Sequence, residues 1–153
     1  MDVKALITAA GLGKRFGALT KRINKCLLHV EGKSLILHIV EKFKQVGIKD
    51  IYVVSGYQNT SVEKRLKSSI KVIYNPFYRV SGILGSFWEA RHAIAGKPFL
   101  FTTSDHFFHP SVLKNLIKKR TDIKIVVQKK KNYTKEDAKV IIRGNLVVRM
   151  GKD

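Results

Sequence analysis

The stretch that decides the fold is VKALITAAGLGKRFG, residues 3–17. Val3 to Thr8 is a short apolar run of the length of one buried strand. The turn that follows, residues 9–17, holds Gly11, Gly13 and Gly17 together with Lys14 and Arg15. Glycines let backbone N–H groups approach a ligand closely, and clustered N–H groups attract anions. The turn is therefore either a phosphate cradle or a flexible loop with solvated charges. Two familiar cradles are excluded. The dinucleotide fingerprint needs a third glycine where Phe16 stands, and the P-loop needs a glycine where Leu27 precedes Gly32-Lys33-Ser34.

Outward from this stretch, strand and helix patterns alternate. Apolar residues at Ile36, Ile39, Val40 and Phe43 predict a helix from Ser34 to Gln45, ended by Gly47. Ile51–Ser55 is a second strand. Thr60 and Glu63 are spaced as a capping box for a short helix to about Ser68. Ile70–Tyr74 is a third strand and Ser86–Ala95 a helix, closed by Gly96-Lys97-Pro98. Phe99–Thr103 is a fourth strand. Pro110 suits the first turn of a helix that buries Val112, Leu113, Leu116 and Ile117. Ile123–Val127 is a fifth strand, and Gly144-Asn145 joins Lys139–Arg143 to Leu146–Arg149 as a hairpin. The expected fold is α/β: a three-layer, Rossmann-like, mostly parallel sheet flanked by helices, with a C-terminal β-hairpin. Ligands of such sheets bind beyond the carboxyl ends of the strands. Two segments leave strands at that edge: residues 9–17 and Ser104-Asp105-His106.

The 153 residues, 44% of them hydrophobic, suffice for one domain with a real core. No apolar run approaches the roughly 18 residues of a membrane span. Met1 to Lys4 lacks the pattern of a secretory signal, and one cysteine, Cys26, excludes an internal disulfide and a cysteine zinc site. A cytoplasmic protein is the simplest expectation. Thirty Lys and Arg against eleven Asp and Glu leave a net charge of +19. That excess favours anionic partners without choosing among nucleotides, sugar phosphates, nucleic acid and anionic lipid. The basic residues are dispersed, as on a solvated surface, rather than gathered into a nucleic-acid stripe; the one dense run is Lys129-Lys130-Lys131.

Ala9-Ala10-Gly11-Leu12-Gly13-Lys14-Arg15, with Lys25 ten residues further on, resembles the signature of the nucleotidyltransferases that activate sugar phosphates and related alcohols. Their Pro-Lys pair is Asn24-Lys25 here, and LLHVEGKSLILH resembles the family's continuation. The resemblance implies that Ala10, Gly11, Leu12, Gly13 and Lys14 bind the nucleotide's phosphates. Arg15 and Lys25 would be catalytic, neutralising charge around an attacked α-phosphate. Such transfers rest on positioning and charge neutralisation.

Asn75-Pro76-Phe77-Tyr78 through Leu84-Gly85-Ser86 resembles the family's base-recognition segment. Gly85 and Ser86 would face the base; the plainer reading of Ser86 is a helix N-cap. Some CTP-using relatives carry an asparagine near Ser81-Gly82-Ile83, which lacks it, so the base stays open. Asp105, just past an apolar strand, is placed to hold Mg²⁺ through oxygen; an Asx turn is the alternative. The Asp105-His106 pair resembles the inositol-1-phosphate cytidylyltransferase branch, whereas many relatives have Asp-x-Asp and here Phe107 takes the second place. A transition-metal site of Asp105, His106 and His109 lacks a further histidine or cysteine nearby. His29 and His38 suit packing or the surface, Cys26 either a reactive thiol or a small buried filler, and Trp88 the core.

The resemblance implies one nucleotidyltransferase domain over residues 1–153. The family's domain runs further, through more strands, a second metal-binding acid and much of the acceptor pocket. Asp122, Asp137 and Asp153 do not supply that acid convincingly, so an incomplete, N-terminal nucleotide-binding portion or a short relative is expected. The implied reaction is Mg²⁺-dependent transfer from an NTP, CTP by choice, to an anionic acceptor. Inositol 1-phosphate giving CDP-inositol is the leading acceptor, with a sugar phosphate or phosphocholine as the near alternative. That would serve phospholipid biosynthesis, and some relatives are fused to a membrane phosphotransferase. The rivals are a nucleic-acid-binding or ligand-sensing module with a dead site, and a fragment that binds NTP without turnover.

Overall fold

Every second residue along a strand turns to the same side, and the first strand is a near-continuous apolar run because both of its faces are buried. In a computed structural model, which describes residues 2–67, 70–118, 123–135 and 137–151 (Arg15 by its backbone only), the first strand is β1, Lys4–Ala9. Its Ala5, Ile7 and Ala9 join one buried cluster, while Leu6 joins another. The residues fall into two units, 1–118 and 119–153.

In the first unit, β4 (Ile51–Ser55), β5 (Lys71–Tyr74) and β6 (Phe99–Thr103) pair with β1 in the order β5-β4-β1-β6. All three pairings are parallel. A short antiparallel pair, β2 (His29–Val30) and β3 (Lys33–Ser34), stands apart. Four helices follow: α1 (Leu35–Gln45), α2 (Asn59–Leu66), α3 (Gly82–Ile94) and α4 (Pro110–Lys118). The larger core packs Ile36, Ile39 and Phe43 of α1, Val62 and Leu66 of α2 and Leu113 of α4 against Ala5, Ile7 and Val53. The other face is covered by α3, whose Ala90 meets Leu6 and Val54. On that side Phe87 also meets Phe101, ring centroids 4.6 Å apart. The sheet is thus sandwiched between helices, the three-layer α/β arrangement that the alternation predicts.

The second unit contains the predicted hairpin, β7 (Lys139–Arg143) and β8 (Leu146–Gly151), with a register shift between Ile141 and Ile142. The expected strand at Ile123–Val127 is absent: these residues are irregular, and Ile123, Ile125, Val126 and Val127 are exposed. A β-rich run becomes a strand only within a hydrogen-bonded ladder, and no sheet among the described residues includes these positions.

Helix starts differ as well. α2 begins at Asn59 because Gln58 takes the left-handed conformation, φ 54°, and its C=O accepts from the Val62 N–H. Thr60 and Glu63 therefore lie inside the helix and form no capping box. α3 starts at Gly82, four residues before Ser86, so Ser86 is not a cap. Trp88 is 64% exposed rather than in the core, with the Arg91 guanidinium 4.3 Å from its ring centroid. Among the described residues no helix is long and apolar enough to cross a membrane.

Candidate functional site

Parallel strands deliver their carboxyl ends to one edge, and there the two predicted segments meet. The Ser104 N–H donates to the Thr8 C=O at 3.0 Å, so the chain leaving β6 runs beside the end of β1. Between the two segments lies a cleft of about 380 Å³ lined by residues 8–105 of the first unit. That lies within the usual range of small-molecule sites, roughly 300–1,000 Å³.

Its floor is the glycine turn. Gly13 is left-handed, φ 66°, and starts a 3-10 turn over Lys14–Thr20. The Gly13 C=O accepts from the Phe16 N–H and from the Thr20 hydroxyl, both at 2.9 Å. A Cβ on Gly13 would stand 3.1 Å from Thr20 Cγ2 and 3.3 Å from Lys25 Cβ. A side chain on this sharp turn would be tight against Thr20 and Lys25 and strained by the left-handed backbone.

Lys25 opens a second short 3-10 turn, Lys25–Leu27. Its Nζ is 2.5 Å from Asp105 Oδ2 and 4.6 Å from the Phe16 ring centroid. The other carboxylate oxygen, Oδ1, accepts from the Thr103 hydroxyl. Burial alone would raise the Asp105 pKa, but the hydrogen bonds from Lys25 and Thr103 and the lysine's charge outweigh it, and the carboxyl titrates below the ordinary carboxylate value. His106 Nδ1 lies 3.2 Å from Thr103 Oγ1.

On the far wall, Ser86 is buried and its hydroxyl accepts from Asn75 Nδ2 at 3.3 Å. Asn75 also donates to the Ser81 hydroxyl, and its Oδ1 accepts from the Phe77 N–H at 2.9 Å. Gly85 packs over Ser81, whose Oγ would collide with any Cβ there.

Of the predicted residues, Ala10, Gly11, Gly13, Lys14, Lys25, Ser86 and Asp105 line the cleft, and Leu12 and Gly85 do not. The Arg15 side chain lies outside the described residues. Gly85 sits behind the lining, next to the Asn75–Ser81 network. Residues without an assigned role also line the cleft: Thr8, Phe16, Asn24, Tyr78, Gly82, Ile83, Thr103 and Ser104. Tyr78 and Ile83 could have been suspected from their place in the segment before Gly85; nothing local marks Phe16 or Thr103.

Cys26 is fully buried, and burial pushes its thiol up to about 12, so it is a packed filler and not a reactive group. His109 Nδ1 contacts Ser111. No cluster of three metal-ligating side chains occurs among the described residues. Asp137, in the second unit, is held at about 2 by hydrogen bonds from Lys130 and the Thr134 backbone. Asp122 and Asp153 lie outside the described residues.

A parallel α/β sheet with a glycine turn, a lysine and an aspartate at one edge belongs to the class of open-sheet proteins whose ligands bind beyond the carboxyl ends of the strands. Residues 5–145 match the MobA-like NTP transferase domain, and the chain belongs to that family. The UTP–glucose-1-phosphate uridylyltransferase of Streptococcus pneumoniae is 43% identical over 72 residues, 47% of this chain and 24% of that protein. The structure of a CTP:phosphocholine cytidylyltransferase from the same species matches at 30% identity and TM-score 0.62, over 69% of this chain and 46% of that one. That of the inositol-1-phosphate CTP transferase from T. maritima shares the fold at TM-score 0.81 and 24% identity, over 99% of this chain and 65% of that one. The chain therefore spans about a quarter of the length of its curated relative and about half to two-thirds of the solved ones.

Proposed function

We propose that this chain supplies the nucleotide-binding half of a Mg²⁺-dependent nucleotidyltransferase. An acceptor phosphate oxygen attacks the α-phosphorus of an NTP; the new O–P bond forms as the bond to the β-phosphate breaks, and pyrophosphate leaves with the electron pair. The backbone at Gly11–Gly13, with Lys14 and Arg15, holds the triphosphate. Lys25 neutralises charge at the α-phosphate, and the wall formed by Ser86, Tyr78 and Ile83 borders the base. The observation that carries this reading is the Lys25–Asp105 contact of 2.5 Å beside the Gly13 turn. It supports the reading because a cation and a carboxylate in contact beside the turn are within reach of a single phosphate–metal unit.

The Asp105 carboxylate, supported by Thr103, suits Mg²⁺, which is commonly bound by one or two carboxylates together with substrate phosphates. The ion would offset charge on the phosphates and the departing pyrophosphate. CTP and inositol 1-phosphate, giving CDP-inositol, are the proposed substrates. The Asp105-His106 pair supports them, and a relative that matches at 30% identity is a cytidylyltransferase. A phosphocholine or sugar-phosphate acceptor is the alternative.

The test is pyrophosphate release by the whole protein with Mg²⁺, each NTP and an acceptor panel. Lys25→Ala and Asp105→Ala are each expected to lower the rate by roughly 10²–10³, the usual cost of removing one well-placed charge-stabilising group. Rates unchanged by both substitutions would overturn the roles. The net charge of +19 favours one rival, nucleic-acid binding. Tight binding to nucleic acid with a steep salt slope, and no affinity for NTP, would establish that rival instead.

A further inference from the structure

Asn24 is 1% exposed, yet its side chain is fully engaged with backbone from three places in the chain. Nδ2 donates to the C=O of Ala9, at the end of β1, at 2.9 Å, and to the C=O of Tyr57, in the connection from β4 to α2, at 2.7 Å. Oδ1 accepts from the Cys26 N–H at 3.0 Å. Both amide protons and the oxygen are used, and all three partners are main-chain groups. Its φ of −63° is the angle a proline ring would impose. The backbone setting that a pyrrolidine fixes covalently is here held by hydrogen bonds.

The next residue is Lys25. The tether to Ala9 fixes the turn to β1, and β1 is in register with β6 from Lys4↔Phe99 to Thr8↔Thr103, two residues before Asp105. The tether to Tyr57 fixes the same turn to the connection that follows β4. Tyr57 adds to this clamp: its N–H donates to the Ala10 C=O at 3.1 Å, and its hydroxyl donates to the Lys21 C=O at 2.5 Å. The segment that delivers Lys25 is thus bound to the sheet edge by the buried Asn24 carboxamide, with Tyr57 and Gln58 holding the residues just before it at the Lys21 and Arg22 C=O.

We propose that Asn24 is the positioning residue for Lys25: its carboxamide sets where the ammonium stands relative to Asp105, and it acts on the chemistry only through that lysine. The proposal rests on the reading of Lys25 given above. The energetic logic is that a misplacement of about 1 Å in a reacting group can cost on the order of 10²-fold in rate.

A double-substitution cycle tests it. Pyrophosphate release and binding of CTP with Mg²⁺, the latter by calorimetry, are measured for the wild type, Asn24→Ala, Lys25→Ala and the double variant. Asn24→Ala is expected to lower kcat by about 10²-fold, with little change in the KM for CTP, and to cause no further loss in the Lys25→Ala background. Asn24→Asp keeps the shape but presents a carboxylate to the Ala9 and Tyr57 carbonyls, and is expected to match Asn24→Ala. Asn24→Ser retains a hydroxyl donor and serves if the alanine variant does not fold. Crystal structures of the free wild type and variants give the second readout: Lys25 Nζ is expected to move away from Asp105 by more than about 1 Å. Equal loss from Asn24→Ala with and without Lys25, or a Lys25–Asp105 contact unchanged in the variant crystals, would overturn the proposal. A wild type that neither binds nor turns over nucleotide would overturn the function proposed above. The crystal comparison would still decide the role of Asn24.

Discussion

At the scale of single residues, two positions carry direct predictions. Gly13 is left-handed with Thr20 and Lys25 pressed against it. Gly13→Ala is expected to cost about 1–2 kcal/mol in urea unfolding, the usual penalty for a Cβ in that conformation. It should also weaken NTP binding, because the alanine Cβ displaces Lys25 or Thr20. Cys26 holds its proton to about 12, well above an unfolded thiol near 8.5. Between those values the unfolded chain releases a proton that the folded chain retains, so stability falls as pH rises through that window and is unaffected below it. A thiol reagent at pH 8 is expected to leave the native protein unlabelled and to label it fully in denaturant. Urea midpoints from pH 9 to 11 should fall less steeply for Cys26→Ala than for the wild type.

At the scale of elements, α1 is the helix most firmly specified by its sequence. Ile36, Ile39, Val40 and Phe43 are all buried at the predicted spacing, and Phe43 is wholly inaccessible. Phe43→Ala is expected to destabilise by about 3–5 kcal/mol, measured by denaturant unfolding, because the aromatic volume cannot be refilled. β1, β4 and β6 were legible because each is a short apolar run between turn residues, and the parallel topology then placed the glycine turn and Asp105 at one edge. The start of α3 was not, because Gly82 and Gly85 mask a helix whose extra turn is fixed by the tertiary Asn75–Ser81–Ser86 network. Ile123–Val127 is the complementary case: it has strand composition, but a strand also needs a place in a sheet, and no sheet among the described residues includes it. Asn24 was legible only as a substitute in a motif, since its partners lie 15 and 33 residues away.

At the scale of the whole molecule, both buried clusters and the apolar residues packed on them come from Val3 to Ile117. A chain ending at Lys118 is therefore expected to unfold cooperatively on heating, followed by circular dichroism, and to retain NTP affinity; a gradual, sloping melt would contradict this. The dispersed positive charge adds a long-range attraction for nucleotides, so NTP affinity should fall between low and physiological salt while the melting temperature changes little. The Lys25–Asp105 ion pair gives that behaviour a further consequence. In the free protein each of these two charges is already answered by the other. On the proposed reading, ligand arrival would be an exchange of partners: phosphate would take the ammonium, and the carboxylate would become free to hold a cation. A nucleotide without its divalent ion would then leave the carboxylate beside new negative charge, so NTP affinity is expected to be lower without Mg²⁺ than with it, measured by calorimetry.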